Sequence, residues 1–151
     1  MYSKILVAVD LRKDSRKVIK KAKALLKPKG KIHLLHVIEP SDLSLFSAIP
    51  IPGLINLKDM ESTVFQDRTE KLIKLAQKFD VSEKNTSIEV GKASSQIKQK
   101  AIELKSDLIV SGTHGQSGFE LLLGSTASGV LHGAPCDVLT VQMRVNKKAL
   151  R

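Results

Sequence analysis

The chain has 151 residues, 42% hydrophobic and 26% charged, enough for one domain that buries about two-thirds of its unfolded surface around a single core. Aromatic residues make up 3% and Trp is absent, so an aliphatic core is expected. No apolar run approaches the roughly 20 residues that span a bilayer, while a formal charge of +10 raises the question of an anionic partner.

"KILVAVD" (4–10) is a short, nearly continuous apolar run ending in an acid, as in a strand covered on both faces. Asp14 or Ser15 is then placed to cap a helix whose apolar residues Val18, Ile19, Ala22, Leu25 and Leu26 recur at helical spacing, with "KPKG" as its stop. "KIHLLHVIEP" (31–40) is a second buried strand, ended by Pro40. "SDLSLFSAIPIPGLINL" (41–57) has no clear period and carries Pro50, Pro52 and Gly53, which predicts a long apolar loop covering a site or a partner surface. Residues 58–79 read as an amphipathic helix through Met60, Val64, Thr69, Leu72, Ile73, Ala76 and Phe79, and "TSIEV" (86–90) as a strand. "GKASSQIKQKAIELKS" (91–106) supplies a helix with Ile97, Ala101, Ile102 and Leu104 inward. "DLIVSG" (107–112), "STASGVLHGA" (125–134) and "CDVLTVQM" (136–143) give a strand, a helix and a last strand.

Five strands alternating with four helical segments specify an α/β, doubly wound, single-domain parallel sheet with helices on both faces. The flavodoxin-like order 3-2-1-4-5 makes strands one and four neighbours whose crossovers leave in opposite directions. A crevice then opens at their carboxyl ends, where Asp10 and Gly112 face each other. The stretch after strand four, "SGTHGQSGFELLLGSTAS" (111–128), suits an anion. Gly112 and Gly115 allow close backbone approach, and Gly124, Ser125 and Thr126 present amides and hydroxyls at a helix start. The same residues serve turn geometry and an N-cap equally well, and spacing alone leaves the two readings even.

Competing signals are weaker. "VGKASS" (90–95) has Thr86 where a P-loop needs its first glycine and Ala93 where it needs a hydroxyl, so it reads as a strand-to-helix turn. His33, His36, His114 and His132 lack metal-ligand spacing, and His33 and His36 point to opposite faces of their strand. No nucleophile or second acid is placed beside Asp10 by any motif, so no catalytic residue is assigned and an enzyme is not expected. Cys136, the one cysteine, reads as a small buried residue. The basic residues follow a helix face (12–31) and the tail "RVNKKALR" (144–151) without aromatics to stack bases, which favours solvated charge over a nucleic-acid site. "MYSKILVAVD" lacks the marks of a signal peptide, and the expectation is a cytoplasmic protein without membrane contact.

"KILVAVD", "LLHVIEP" and "DLIVSGTHGQSGFELLLGSTASGVLHGAPCDVLTV", in this order, resemble the universal stress protein family, with a start and end similar to its A branch. The resemblance covers residues 1–143 as one domain and leaves 144–151 as a basic tail. Gly112, Thr113, His114 and Gly115 match the first half of the family's nucleotide signature, and Gly124 with Ser125 the second; eight residues separate the halves where the family has nine. The resemblance implies ATP, with magnesium, between Asp10 and Val37 at adenine and ribose, Gly112, His114 and Gly115 along ribose and phosphates, and Gly124, Ser125 and Thr126 at the phosphates. It also implies a homodimer through the last strand (Val138, Leu139, Val141). The shortened spacer keeps a second reading open, a nucleotide-free dimeric interaction protein of the A type.

Overall fold

The computed structural model describes residues 1–47, 57–113 and 124–143. β1 (Tyr2–Ala8), β2 (Leu26–Ile38), β3 (Thr86–Val90), β4 (Leu108–Gly112) and β5 (Asp137–Val141) form one sheet in the order β3-β2-β1-β4-β5, with every neighbouring pair parallel. The expected order is therefore the observed one.

Parallel pairing forces the crossovers onto the faces of the sheet. α1 (Ser15–Leu25) and α3 (Leu57–Lys78) cover one face, where Val18, Ile19, Ala22, Leu72 and Ala76 pack on Ile5, Val7, Leu34, Leu108 and Val110. α4 (Ala93–Leu104) and α5 (Ser125–Leu131) cover the other, where Ile97, Ala101 and Val130 pack on Leu6, Leu35 and Ile109. The core is aliphatic, as the composition demands, apart from Phe79. Ile102, expected inward, is 64% exposed because Ile97 and Ala101 already define the stripe that meets the sheet.

Two departures from the sequence reading go beyond a shift of one to three residues at an element's end. β2 begins at Leu26, directly after α1, because Tyr2 pairs with Leu26 and the register then jumps so that Lys4 pairs with Lys31. Lys29, at φ 64°, lies inside that irregularity. The second difference is the stretch read as a loop from 41. Pro40–Ser47 form a helix, α2. Its start is a reciprocal cap in which the Asp42 amide donates to the Glu39 carbonyl (2.8 Å) and the Glu39 amide donates to the Asp42 carboxylate (3.0 Å). Pro40 thus ends β2 and opens α2 at once, since a first-turn proline forfeits an amide that has no helical partner. The remainder of the expected loop, 48–56, lies outside the described residues, as does the tail 144–151.

Candidate functional site

The carboxyl ends of β1 and β4 point to the same side, and β2 and β5 leave from them in opposite directions across the sheet. A cleft of about 550 Å³ opens there, within the usual range for small-molecule sites. Asp10, Val37, Gly112, Gly124, Ser125 and Thr126 all line it. His114 and Gly115 lie outside the described residues.

Asp10 follows β1 and shapes the turn into α1. Its Oδ1 accepts hydrogen bonds from the Arg12 amide (3.0 Å) and the Ser15 hydroxyl (2.8 Å), and Arg12 Nε stands 4.0 Å from Oδ2. The two-residue reach to Arg12 is an Asx turn. It holds Leu11 at φ 61°, a left-handed conformation that a leucine does not choose alone. Ser15, read as a candidate cap, spends its hydroxyl on Asp10; Asp14 takes the N-cap position and makes no side-chain cap hydrogen bond.

Opposite Asp10, β4 ends at Gly112, where an added Cβ would lie 2.9 Å from Met143 Cγ and Sδ. The Thr113 amide donates to the Val141 carbonyl, and its own carbonyl accepts from the Gly124 amide, both at 2.9 Å. That second bond sets Gly124 beside the end of β4. Gly124 caps α5 with φ −56° and ψ 155°, so Ser125 and Thr126 start the helix on the cleft wall.

The start of α4 also lines the cleft through Ala93, but its anion position is filled: the Ala93 amide donates to Glu39 Oε1 at 2.9 Å. Together with Gly91 at φ 140°, this makes "VGKASS" the strand-to-helix turn expected from its missing P-loop residues.

Several lining residues were not identified from sequence. Arg68 and Lys71 approach from α3, and with Arg12 they set three cations against the carboxylates of Asp10, Glu39 and Asp42. Their helix was legible but its placement over the cleft was not, because helical period says nothing of which sheet end a helix overhangs. His36 lines the cleft too. Its Nδ1 pairs with the Val9 carbonyl at 2.9 Å, which places the proton on Nδ1, and burial pushes its pKa below the ordinary value. His33, on the other face, meets the Ser87 hydroxyl at 2.8 Å through Nε2. Ser111, the last buried residue of β4, completes the floor; a hydroxyl inside the apolar run "DLIVS" was the signal for it. Cys136 is half-buried, and burial raises its thiol pKa. Among the described residues no cluster of His, Cys, Asp and Glu is arranged to hold a metal, and no helix is long and apolar enough to cross a membrane.

The model of the universal stress protein family matches residues 1–142. The chain belongs to the universal stress protein family. Universal stress protein A homolog 2 of Coxiella burnetii is 36% identical over 95% of this chain and 97% of its own length. Universal stress protein MJ0531 of Methanocaldococcus jannaschii is 31% identical over 94% and 83%. Among solved structures, that of the hypothetical protein MJ0577 superposes with a TM-score of 0.79 at 23% identity, covering 97% of this chain and 99% of that one. A universal stress protein in complex with cAMP superposes with a TM-score of 0.58 at 18% identity, covering 95% and 98%. These two structures share the fold of this universal stress protein, whose cleft lies at the strand ends just described.

Proposed function

We propose that this universal stress protein is a cytoplasmic stress-response regulator that binds an adenine nucleotide, ATP, in the β1/β4 cleft without efficient hydrolysis, and that it works as a homodimer. One observation carries the reading: the six described residues of the eight assigned by resemblance to the family line a single cleft of about 550 Å³. Arg12, Arg68 and Lys71 line the cleft as cations that a polyphosphate could engage, with Asp10, Glu39 and Asp42 balancing them in charge. That a structure of the same fold holds cAMP supports the nucleotide class.

Turnover is not part of the reading. Asp10 Oδ1 already accepts hydrogen bonds from the Arg12 amide and the Ser15 hydroxyl and is committed to the turn into α1. Magnesium accompanying ATP would keep most of its ligands as phosphate oxygens and water, with Asp10, at the end of β1 beside β4, as a carboxylate that could complete them.

The spacer of eight residues supports the alternative, a nucleotide-free interaction protein. Calorimetry with ATP separates the two. The double variant Gly124→Val, Ser125→Ala is expected to abolish binding while melting like wild type, because the backbone at Gly124 is one any residue adopts. Wild type that shows no heat at about 1 mM ATP, near the weak limit of specific affinity, while a one-residue insertion after Leu123 restores binding, would establish the interaction-protein reading instead.

A further inference from the structure

β1 and β2 are tied together where they meet the cleft. The Val9 amide donates to the Leu35 carbonyl at 2.9 Å, and the Val9 carbonyl accepts from His36 Nδ1 at the same distance. Val9 and His36 each precede a residue that the nucleotide reading places at adenine and ribose, Asp10 and Val37. The residues it gives to the phosphates, Gly124, Ser125 and Thr126, follow β4, and β1 lies between β4 and β2 in the sheet. His36 therefore lines the cleft at its nucleoside end.

With its proton on Nδ1, the neutral ring carries a lone pair on Nε2 and no proton to donate from it. Burial lowers the pKa of the ring, and Arg68 pushes the same way against the Val9 carbonyl, Asp42 and Asp10, so the neutral form prevails at neutral pH. Nε2 has no hydrogen-bond partner among the described residues. It is not sealed off either, because Ser111 Oγ is, among those residues, the enclosed side-chain polar atom that lacks a partner. The 7% of its surface that His36 keeps opens on the cleft it lines. An acceptor left waiting there gains by meeting a donor.

That requirement discriminates among the parts of a nucleotide. Phosphate oxygens and the ring nitrogens of adenine are acceptors themselves and would oppose Nε2 lone pair to lone pair. The groups of ATP that donate at neutral pH are the exocyclic amine and the ribose hydroxyls, all in the nucleoside half. We infer that His36 is a specificity-determining residue whose Nε2 accepts a hydrogen bond from the nucleoside half of the bound nucleotide. The inference rests on the nucleotide reading of the cleft and adds to it a side-chain contact from β2.

Removing the donors one at a time tells them apart. Calorimetry compares ATP with purine riboside triphosphate, which lacks the amine, and with deoxyadenosine triphosphate and cordycepin triphosphate, which each lack one of the hydroxyls. Each ligand is titrated into wild type and into His36→Asn, which keeps a donor toward the Val9 carbonyl and lacks the far ring nitrogen. One analogue is expected to bind wild type about 5- to 10-fold more weakly than ATP, the worth of one neutral hydrogen bond, and to match ATP within about twofold on His36→Asn. The identity of that analogue names the donor. A variant that only loosens the fold weakens every ligand alike, so ratios unchanged between the two proteins overturn the inference. A second readout needs no variant: in ring-labelled wild type the Nε2 nitrogen resonance of His36 should move upfield on saturation with ATP, as an acceptor nitrogen does on gaining a hydrogen bond. An unmoved resonance overturns the inference even where His36→Asn fails to fold. Wild type that binds ATP and all the analogues equally overturns this inference alone, whereas wild type that binds none of them at about 1 mM overturns the nucleotide reading and the inference with it.

Discussion

His36 and His33 make the protein's stability sensitive to mild acid. Burial lowers the pKa of His36, with Arg68 pushing the same way and the Val9 carbonyl, Asp42 and Asp10 opposing. At His33 burial is again the main cause, joined by Lys100 and opposed by Glu103 and Glu89. The unfolded chain therefore takes up protons near the ordinary value of about 6.5 while the folded chain still resists them. The stability these residues contribute is fully present above that value and is lost as pH falls through it toward their folded pKa. Asp67 and Asp107 are lowered from 3.8, so their linkage acts in stronger acid and leaves this window to the histidines. Thermal melts of wild type should fall between pH 7.5 and pH 5.5. In the double variant His33→Gln, His36→Asn, which keeps a hydrogen-bonding group toward the Ser87 hydroxyl and a donor toward the Val9 carbonyl, most of that drop should vanish. Equal slopes for the two proteins would refute the assignment.

At the scale of elements, two glycines look alike in sequence and differ in consequence. A Cβ on Gly112 meets the flexible end of Met143, which can move. A Cβ on Gly129 of α5 would lie 2.7 Å from Ser94 Cβ and 2.9 Å from its Oγ on the first turn of α4. Ser94 is buried, and a Cβ cannot change rotamer, so α4 and α5 would have to separate over the core they share with Ile109. Gly129→Ala should cost about 1–3 kcal/mol in urea unfolding, and Gly112→Ala clearly less; equal costs would mean that the two helices part without resistance. The rest of the architecture follows from signals of differing range. "TSIEV" was legible to the residue because Asn85 and Gly91 bound a short β-rich run, whereas the sheet order was expected only as the common one for five alternating strands, since sequence does not fix it. α2 was not legible, because Pro40 was read only as a stop and its reciprocal cap with Glu39 and Asp42 involves an acid at the third helical position. The topological switch brought Asp10 and Gly112 to one crevice, whereas Gly124 was assigned there by the family resemblance. Arg68 and Lys71 could be assigned by neither, since only the packing of Leu72 and Ala76 on the sheet brings their helix over the cleft.

For the whole molecule, the sheet order leaves β3 and β5 at the edges. β3 is half-buried along most of its length and is fenced by Glu89, which pairs with Lys100 of α4 at 2.8 Å. β5 carries the apolar run "VLTV", and an edge of that kind is a template for a second copy. Val141 turns into the core at 5% exposure, so of the three residues expected at a dimer contact it is Val138 and Leu139, both half-buried, that retain side-chain surface to cover. A two-fold pairing of β5 strands would continue the sheet from one copy into the next and finish that burial. The formal charge of +10 per chain opposes it, so dimerisation should strengthen as salt screens the repulsion, whereas binding to nucleic acid through the same charge would weaken. Sedimentation of wild type at about 50 µM, a concentration at which micromolar association is well populated, should show a dimer whose share rises from low to moderate salt. Leu139→Lys should sediment as a monomer with an unchanged far-UV spectrum, because the substitution places like charges opposite each other at the two-fold contact. A wild type that remains monomeric at both salts would remove β5 as the interface, and a Leu139→Lys protein that still dimerises would place the contact on another face.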